Sequence, residues 1–163
     1  MFMPKDKKRE IVYEQMRNAT DPIPIQSLID IPRSKGIPIE VKRLQFVYEA
    51  IKEGYVVGFL TRDREIFWSV KAIQAHVDSY INKYGRIKSS KFIKRHDLPK
   101  RVTTIIEKQV ENYKGFWSTD GKTFYVTKSA GRRMTEFLKE KRKTTLFELT
   151  EKFKWAEKDI LKL

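Results

Sequence analysis

A helical apolar stripe followed by a two-stranded hairpin occurs twice in this chain, and such a repeat leaves few folds open. In the later copy, residues 114–127 form two aromatic and β-branched runs around Asp120-Gly121, which is typical of a hairpin turn because glycine adopts a positive φ. We therefore expect a helix over residues 100–112 and then a hairpin. The apolar residues at helical spacing in this helix are Val102, Ile105, Ile106, Val110 and Tyr113.

The earlier copy has the same order of elements. Its helix ends near Gly54, and residues 55–69 indicate a hairpin that turns at residues 62–64. Counted from Val41 to Val102, the unit repeats after 61 residues, which predicts two tandem domains of one type. The apolar stripe of the earlier helix consists of Val41, Leu44, Val47, Tyr48 and Ile51.

The residues before the second copy indicate which type of domain this is. Ser89 or Ser90 can cap a short helix that contains Phe92 and Ile93, and Pro99 favours a turn before the next helix. Helix, helix, turn, helix and hairpin is the order of elements in a winged helix. The first of these helices ends near Gly85, and its apolar positions are Ile73, Val77, Tyr80, Ile81 and Tyr84.

The remaining segments complete the predicted architecture. In the first copy we expect helices near residues 5–18 and 25–31, with a proline-marked, irregular stretch at 21–38. After the second hairpin, Ser129 can cap a helix, and Thr145 precedes another. The first of these two helices carries Met134, Phe137 and Leu138. These C-terminal helices either open a third winged helix or pack onto the second domain.

The predicted fold class is α+β and helix-rich, with tandem winged helix-turn-helix domains and C-terminal helices. We expect a first, irregular winged helix over residues 1–70, a second over 71–128, and the C-terminal helices over 129–163.

Composition favours a globular protein with an anionic partner. The chain has no cysteine, no apolar run long enough to span a membrane, and a charged start that does not suit a secretory signal, so we expect a cytoplasmic protein. Residues 1–70 hold 12 basic and 10 acidic side chains, whereas residues 71–163 hold 23 and 11. This surplus suggests an anionic partner for the second half, although a generally lysine-rich proteome would produce it as well.

The sequence contains no recognisable pattern for catalysis or metal binding. Its seven glycines are scattered and form no phosphate-cradling motif, and no nucleophile stands in a known spacing from a base. His76 lies on a predicted helix and His96 in a turn, without the spacing of metal ligands and without expected partners. We therefore predict a protein that is not an enzyme and holds no metal and no cofactor.

Nucleic acid is one predicted partner. Residues 83–101 carry eight basic side chains and one acidic side chain, and residues 100–112 would be the recognition helix. Glu107 and Glu111 interrupt that helix, and a merely solvated basic face would have the same composition. The candidate residues for binding nucleic acid or another anionic partner are Lys88, Lys91, Lys94, Arg95, Lys100, Arg101, Thr104, Lys108 and Lys122.

Other proteins are the second predicted partner, because winged helices also bind proteins through their wings and helix faces. Aromatic residues are concentrated in the second hairpin, and Phe116 and Trp117 are the candidate interface residues there. If all of these rings point inward, they are simply part of the core.

The chain also resembles two families of tandem winged-helix adaptors. The stretches FVYEAIKEGYVVGFLTRDREIFWS, YINKYGRIKSSKFIKRHDLP and LFELTEKFKWAEKDIL resemble the N-terminal half of the ufmylation E3 ligase family. That resemblance implies a scaffold that transfers a ubiquitin-like modifier without a catalytic cysteine. The stretch REIFWSVKAIQAHVDSYINKYG is similar to the join between the two domains of the small ESCRT-II subunit family. Both resemblances imply a subunit of a protein complex.

Overall fold

The structure, a computed structural model, describes the backbone of residues 5–28 and 39–163 and the side chains of residues 9–28 and 43–163. It is an α+β fold in which helices predominate. The helices are α1 Lys5–Asn18, α2 Ile39–Lys52, α3 Val70–Tyr84, α4 Ser89–Arg95, α5 Thr103–Val110, α6 Thr127–Lys141, α7 Leu146–Phe153 and α8 Glu157–Ile160. The 3₁₀ turns are Ile25–Ser27 and Lys100–Val102. The strands are β1 Ile23–Pro24, β2 Gly58–Leu60, β3 Ile66–Ser69, β4 Arg86–Lys88, β5 Gly115–Trp117 and β6 Thr123–Val126.

The strands form two separate antiparallel sheets of three strands each. Their orders are β1-β3-β2 and β4-β6-β5, so in both sheets the second strand of a hairpin lies in the middle. Both predicted hairpins are confirmed, as β2–β3 and β5–β6. The sequence analysis missed β1 and β4, because strands of two and three residues are too short to show an alternating pattern.

The chain divides into two compact units. The first comprises residues 1–76 and 93–105, and the second comprises residues 77–92 and 106–163. Helices α3, α4 and α5 each contribute residues to both units. The division therefore does not run linearly along the chain, whereas the predicted domains of residues 1–70 and 71–128 do.

The first unit packs around α1, α2 and the first hairpin. On α2, Val47 and Ala50 are fully buried, but Tyr48 is 43% exposed, so its place in the predicted stripe is wrong. The Tyr48 ring lies instead under the guanidinium of Arg64 at 5.9 Å. The side chain of Val41 and residues 29–31 of the predicted second helix lie outside the described residues. The buried cluster consists of Val12, Tyr13, Met16, Ile23, Ile25, Leu28, Phe46, Val47, Ala50, Val56, Leu60 and Phe67.

The second unit contains a cluster built by the C-terminal helices. Trp155 is fully buried there and packs edge to face against Phe116, with ring centroids 5.6 Å apart. Thr145 caps α7, since its Oγ1 accepts the backbone N–H of Glu148 at 3.1 Å. The buried members of the cluster are Ala130, Leu149, Trp155 and Ile160.

Two predicted helix caps are wrong. Helix α6 begins at Thr127 after an uncapped Val126, so Ser129 lies inside its first turn. Helix α4 begins at Ser89 itself, and the Ser89 hydroxyl is buried without a hydrogen-bond partner among the described residues. In both cases the preceding strand runs directly into the helix, which leaves no separate residue for a cap.

A side-chain network closes the turn of the first hairpin. Thr61 Oγ1 donates to Asp63 Oδ1 at 2.5 Å, and the same oxygen accepts the N–H of Glu65 at 3.0 Å. Thr61 Oγ1 also accepts the N–H of Ile66 at 3.2 Å. The Asp63 side chain thereby replaces a backbone acceptor within the turn.

The second hairpin has the same network, shifted by 57 residues. Ser118 Oγ donates to Asp120 Oδ1 at 2.5 Å, and this oxygen accepts the N–H of Lys122 at 3.0 Å. Ser118 Oγ accepts the N–H of Thr123 at 3.2 Å. The spacing of 61 counted between the two helices does not extend to the hairpins, because Val41 precedes Thr61 by 20 residues whereas Val102 precedes Ser118 by 16.

Candidate nucleic-acid interface

The helix predicted over residues 100–112 exists, with a 3₁₀ turn in front of it. Val102, Ile106 and Val110 are buried as predicted. Residues 100–102 form the 3₁₀ turn, which follows Pro99. Helix α5 is therefore shorter than the 13 residues expected, and Lys100 and Arg101 lie before it.

Four candidate cations belong to the first unit and are all exposed. Lys94 and Arg95 lie in the last turn of α4, and Lys100 and Arg101 lie in the 3₁₀ turn after Pro99. None of the four has a salt bridge to another described residue. Within the described residues, no salt bridge therefore offsets these four charges.

Arg101 is positioned by a contact with the first hairpin. Its guanidinium carbon lies 5.0 Å from the ring centroid of Phe59, on β2. A guanidinium over an aromatic ring is held by the ring quadrupole and keeps its charge. This contact therefore orients Arg101 without neutralising it.

The exposed face of α5 is electrically mixed. Thr104 donates its hydroxyl to the carbonyl of Arg101 at 2.8 Å, which occupies its one donor. Glu107 and Lys108 on the helix and Glu111, just after its end, are all exposed, so two carboxylates accompany one ammonium group there. Phosphates near this face would be repelled as well as attracted.

In the second unit, Lys88 and Lys122 come together at the tip of the second hairpin. Lys88 of β4 is opposite Thr123 of β6, which follows Lys122. Hydrogen bonds from Ser118 and from the Lys122 N–H lower the pKa of Asp120, and the charges of Lys122 and Lys88 lower it further. The Asp120 carboxylate is therefore ionised and offsets part of this positive charge.

The other two candidate lysines in the second unit stand on helices. Lys91 is exposed on α4, and Lys108 is exposed on α5 between the two glutamates. Neither has a salt bridge within the described part of the chain.

The candidate interface aromatics are half-buried within their own unit. The Phe116 ring contacts Trp155 and stacks on Tyr125 with centroids 6.0 Å apart. Trp117 packs edge to face against Phe124 at 5.6 Å. Both rings therefore contribute mainly to intramolecular packing, and only their remaining surface is open to a partner.

The expectation that the two histidines lack partners is wrong. His76 Nε2 lies 2.9 Å from Asp21 Oδ1, and both imidazoles contact Trp68 edge to face. The His76 and His96 ring centroids are 6.2 Å apart. Desolvation by burial lowers the pKa of His96, and the charges of His76 and Arg95 lower it further. A separation of 20 positions along the chain gave no sign of this pairing.

Several large apolar side chains are exposed outside the predicted sites. Phe147 on α7 and Leu161 after α8 are 72% and 70% exposed, and Val57 before β2 is 68% exposed. Exposed apolar side chains are common singly, but they are also the usual material of protein interfaces. The exposure of Phe147 could have been predicted from the sequence, because two positions along a helix place it away from the face of the buried Leu149.

Clustered metal ligands and membrane-spanning helices are both absent from the described part of the chain. No group of three or more histidine, aspartate and glutamate side chains there is placed to hold a metal ion. None of the helices described combines the length and the apolar character that crossing a bilayer requires.

Comparison with known proteins leaves the family open. Neither a protein-family model nor a curated protein sequence matches this chain.

Proposed function

We propose that the chain consists of tandem winged helices. The proposal rests on the order of elements: α3, β4, α4, α5, β5 and β6 in one half, and α1, β1, a 3₁₀ turn, α2, β2 and β3 in the other. In both halves the early strand pairs with the second strand of the hairpin. The shared turn network of the hairpins supports a common origin of the two halves.

We propose further that this is a non-catalytic adaptor that binds other proteins in the cytoplasm. The observation that carries this proposal is the exposed surface at the end of α5, where Glu107 on the helix and Glu111 just after it flank Lys108. A helix that enters the major groove passes between rows of phosphates, and two carboxylates there oppose binding. The exposed apolar side chains of Phe147 and Leu161 suit a protein partner better than a nucleic acid.

Nucleic-acid binding is the second candidate, and a specific observation favours it. The eight candidate lysines and arginines have no salt bridge with any described residue. Such cations would bind a phosphate backbone by releasing counterions, without reading the base sequence.

Crosslinking in the cells that produce the protein, followed by capture of the tagged chain, separates the two functions. If the chain is an adaptor, the same proteins are recovered with and without nuclease treatment. Their yield should fall in the double variant Phe147→Ser, Leu161→Ser, because both side chains are exposed and apolar. The variant Lys139→Gln, Lys158→Gln serves as an exposed control. Proteins that disappear after nuclease treatment would instead support the second candidate.

A further inference from the structure

A pocket of about 240 Å³ in the second unit is lined by cations and by no acid. Its cationic side chains are Lys83 from the last turn of α3, and Lys128 and Arg132 from the first two turns of α6. Gly85, Tyr113 and Ser129 form part of its wall.

The positive charge of this pocket is not compensated within the described part of the protein. None of the salt bridges there involves Lys83, Lys128 or Arg132. The ammonium of Lys83 lies 5.2 Å from the centre of the Tyr84 ring, a contact that leaves its charge in place. Three like charges around one pocket repel one another, and a bound anion would relieve that repulsion.

The acid behind the pocket wall does not supply the missing charge. Asp78 accepts the Tyr113 hydroxyl at 2.7 Å and Gln109 Nε2 at 2.9 Å. Burial raises the pKa of Tyr113 to about 12, with the Asp78 hydrogen bond adding to it, so the phenol stays neutral. Asp78 is therefore engaged by its own donors, and Tyr113 adds no negative charge.

The backbone holds the pocket in place. Gly85 has a φ of 69°, and its carbonyl accepts the N–H of Val126 at 2.9 Å. A Cβ atom at position 85 would collide with the Ser129 side chain, so glycine allows the end of α3 and the start of α6 to approach closely. The three cations thus project from a fixed framework, which lowers the entropic cost of binding.

We propose that this pocket binds a phosphate-class oxyanion, either a single phosphate group or a diphosphate. Two ammonium groups and a guanidinium are the donors that bind such groups most strongly, and the volume is ample for either anion. The pocket uses none of the nine residues proposed from the sequence for an anionic partner. Its function is therefore independent of whether the chain is an adaptor.

Titration with inorganic phosphate and with inorganic diphosphate, each at constant ionic strength in sodium chloride, tests the proposal. Backbone amide signals of Gly85 and Ser129 are followed by NMR. We expect saturable shifts of these signals, and the anion that binds more tightly identifies the preferred group. The double variant Lys128→Gln, Arg132→Gln should weaken binding by at least about tenfold, because each lost donor is charge-assisted.

The matched control is Lys139→Gln, Lys143→Gln, which removes two exposed charges from the end of α6 and just beyond it. This control should bind like the unmodified protein. An equal loss in both double variants would overturn the proposal, because it would show general screening. Absence of saturable binding to either anion would also overturn it. Should the pocket variant unfold, the single change Lys83→Gln provides the same comparison.

Discussion

Asp97 holds the tip of the first hairpin through Asp63. The Oδ2 of Asp97 accepts the backbone N–H of Asp63 at 3.0 Å, and the carbonyl of Asp97 accepts that of Arg62 at 2.8 Å. Asp97 makes these bonds with a φ of 53°, in the left-handed region that aspartate and asparagine adopt more readily than most residues. The turn after α4 is thus tied to the first hairpin by both the carboxylate and the backbone carbonyl of Asp97.

The change Asp97→Ala should destabilise the protein by about 1–3 kcal/mol, because it removes an acceptor and places alanine in a left-handed conformation. Asp97→Asn keeps an oxygen acceptor and tolerates the same φ, so its effect should be clearly smaller. Urea unfolding of both variants measures the difference. Equal stability of the alanine variant and the unmodified protein would show that this contact contributes nothing.

Stability should fall as the pH drops below about 6.5. Burial, together with the charges of His76 and Arg95, lowers the pKa of His96, so the folded state resists its protonation. Above the unfolded pKa both states are neutral at His96 and no penalty exists. As the pH falls from the unfolded pKa towards the lowered folded pKa, the unfolded state binds more protons and gains relative stability.

Thermal unfolding between pH 7.5 and 5.0 checks this expectation. His96→Gln cannot become charged, so its midpoint should decrease less over this range than that of the unmodified protein. His76 lies 2.9 Å from Asp21, and His76→Gln, which keeps His96 in place, is the comparison variant. Parallel pH profiles for the unmodified protein and His96→Gln would contradict the assignment to His96.

DNA binding should be weak and should not depend on sequence. If the chain is an adaptor, the dissociation constant for duplex DNA should be about 10⁻⁴ to 10⁻⁶ M at physiological salt. Replacing four cations by glutamine should reduce the slope of log K against log salt concentration by up to about four, if all four cations touch phosphates. The substitutions are at Lys94, Arg95, Lys100 and Arg101.

The control for this titration removes four exposed lysines elsewhere, at Lys139, Lys143, Lys158 and Lys162. Both variants should retain the stability of the unmodified protein, since exposed substitutions are nearly neutral. Binding near 10⁻⁸ M that prefers one sequence and disappears only in the first variant would favour the nucleic-acid function.

Two glycine-to-alanine changes should have opposite signs. At Gly115 a Cβ atom would collide with the carbonyl of Tyr125 and the ring of Phe124, so Gly115→Ala should destabilise the second hairpin by more than about 1 kcal/mol. At Gly131, inside α6, a Cβ atom meets nothing, so Gly131→Ala should stabilise by about 0.5–1 kcal/mol. Chemical unfolding of both proteins provides the test. A stabilising effect at Gly115 would mean that the hairpin can shift to accept the extra methyl group.

The fold was largely predictable where it depends on local patterns. The Asp120-Gly121 turn and the stripe of Val102, Ile106 and Val110 produce signals within a few residues of chain, and both are confirmed. The strand Arg86–Lys88 was not predicted, because its only distinctive property is its pairing with β6, about 37 residues later in the chain. Tyr48 was misplaced because helical spacing does not say how much of a helix face is covered.

The sites were less predictable, because they depend on residues far apart in sequence. The proximity of His76 to Asp21 joins positions 55 residues apart, and no spacing rule indicates it. The cationic pocket brings Lys83 together with Lys128 and Arg132, of which only Lys83 fell in the basic stretch singled out from the sequence. Charge counts identify where cations are abundant, whereas only the fold determines which of them surround one pocket.

The closed turns of the two hairpins have a consequence for regulation. The Thr61 and Ser118 hydroxyls are buried, and each both donates to an aspartate and accepts a backbone N–H. A kinase would have to unfold the turn to reach either oxygen, and the resulting phosphate would face the carboxylate of Asp63 or Asp120. These two hydroxyls are therefore shielded from phosphorylation, even though both hairpin turns carry exposed charged residues.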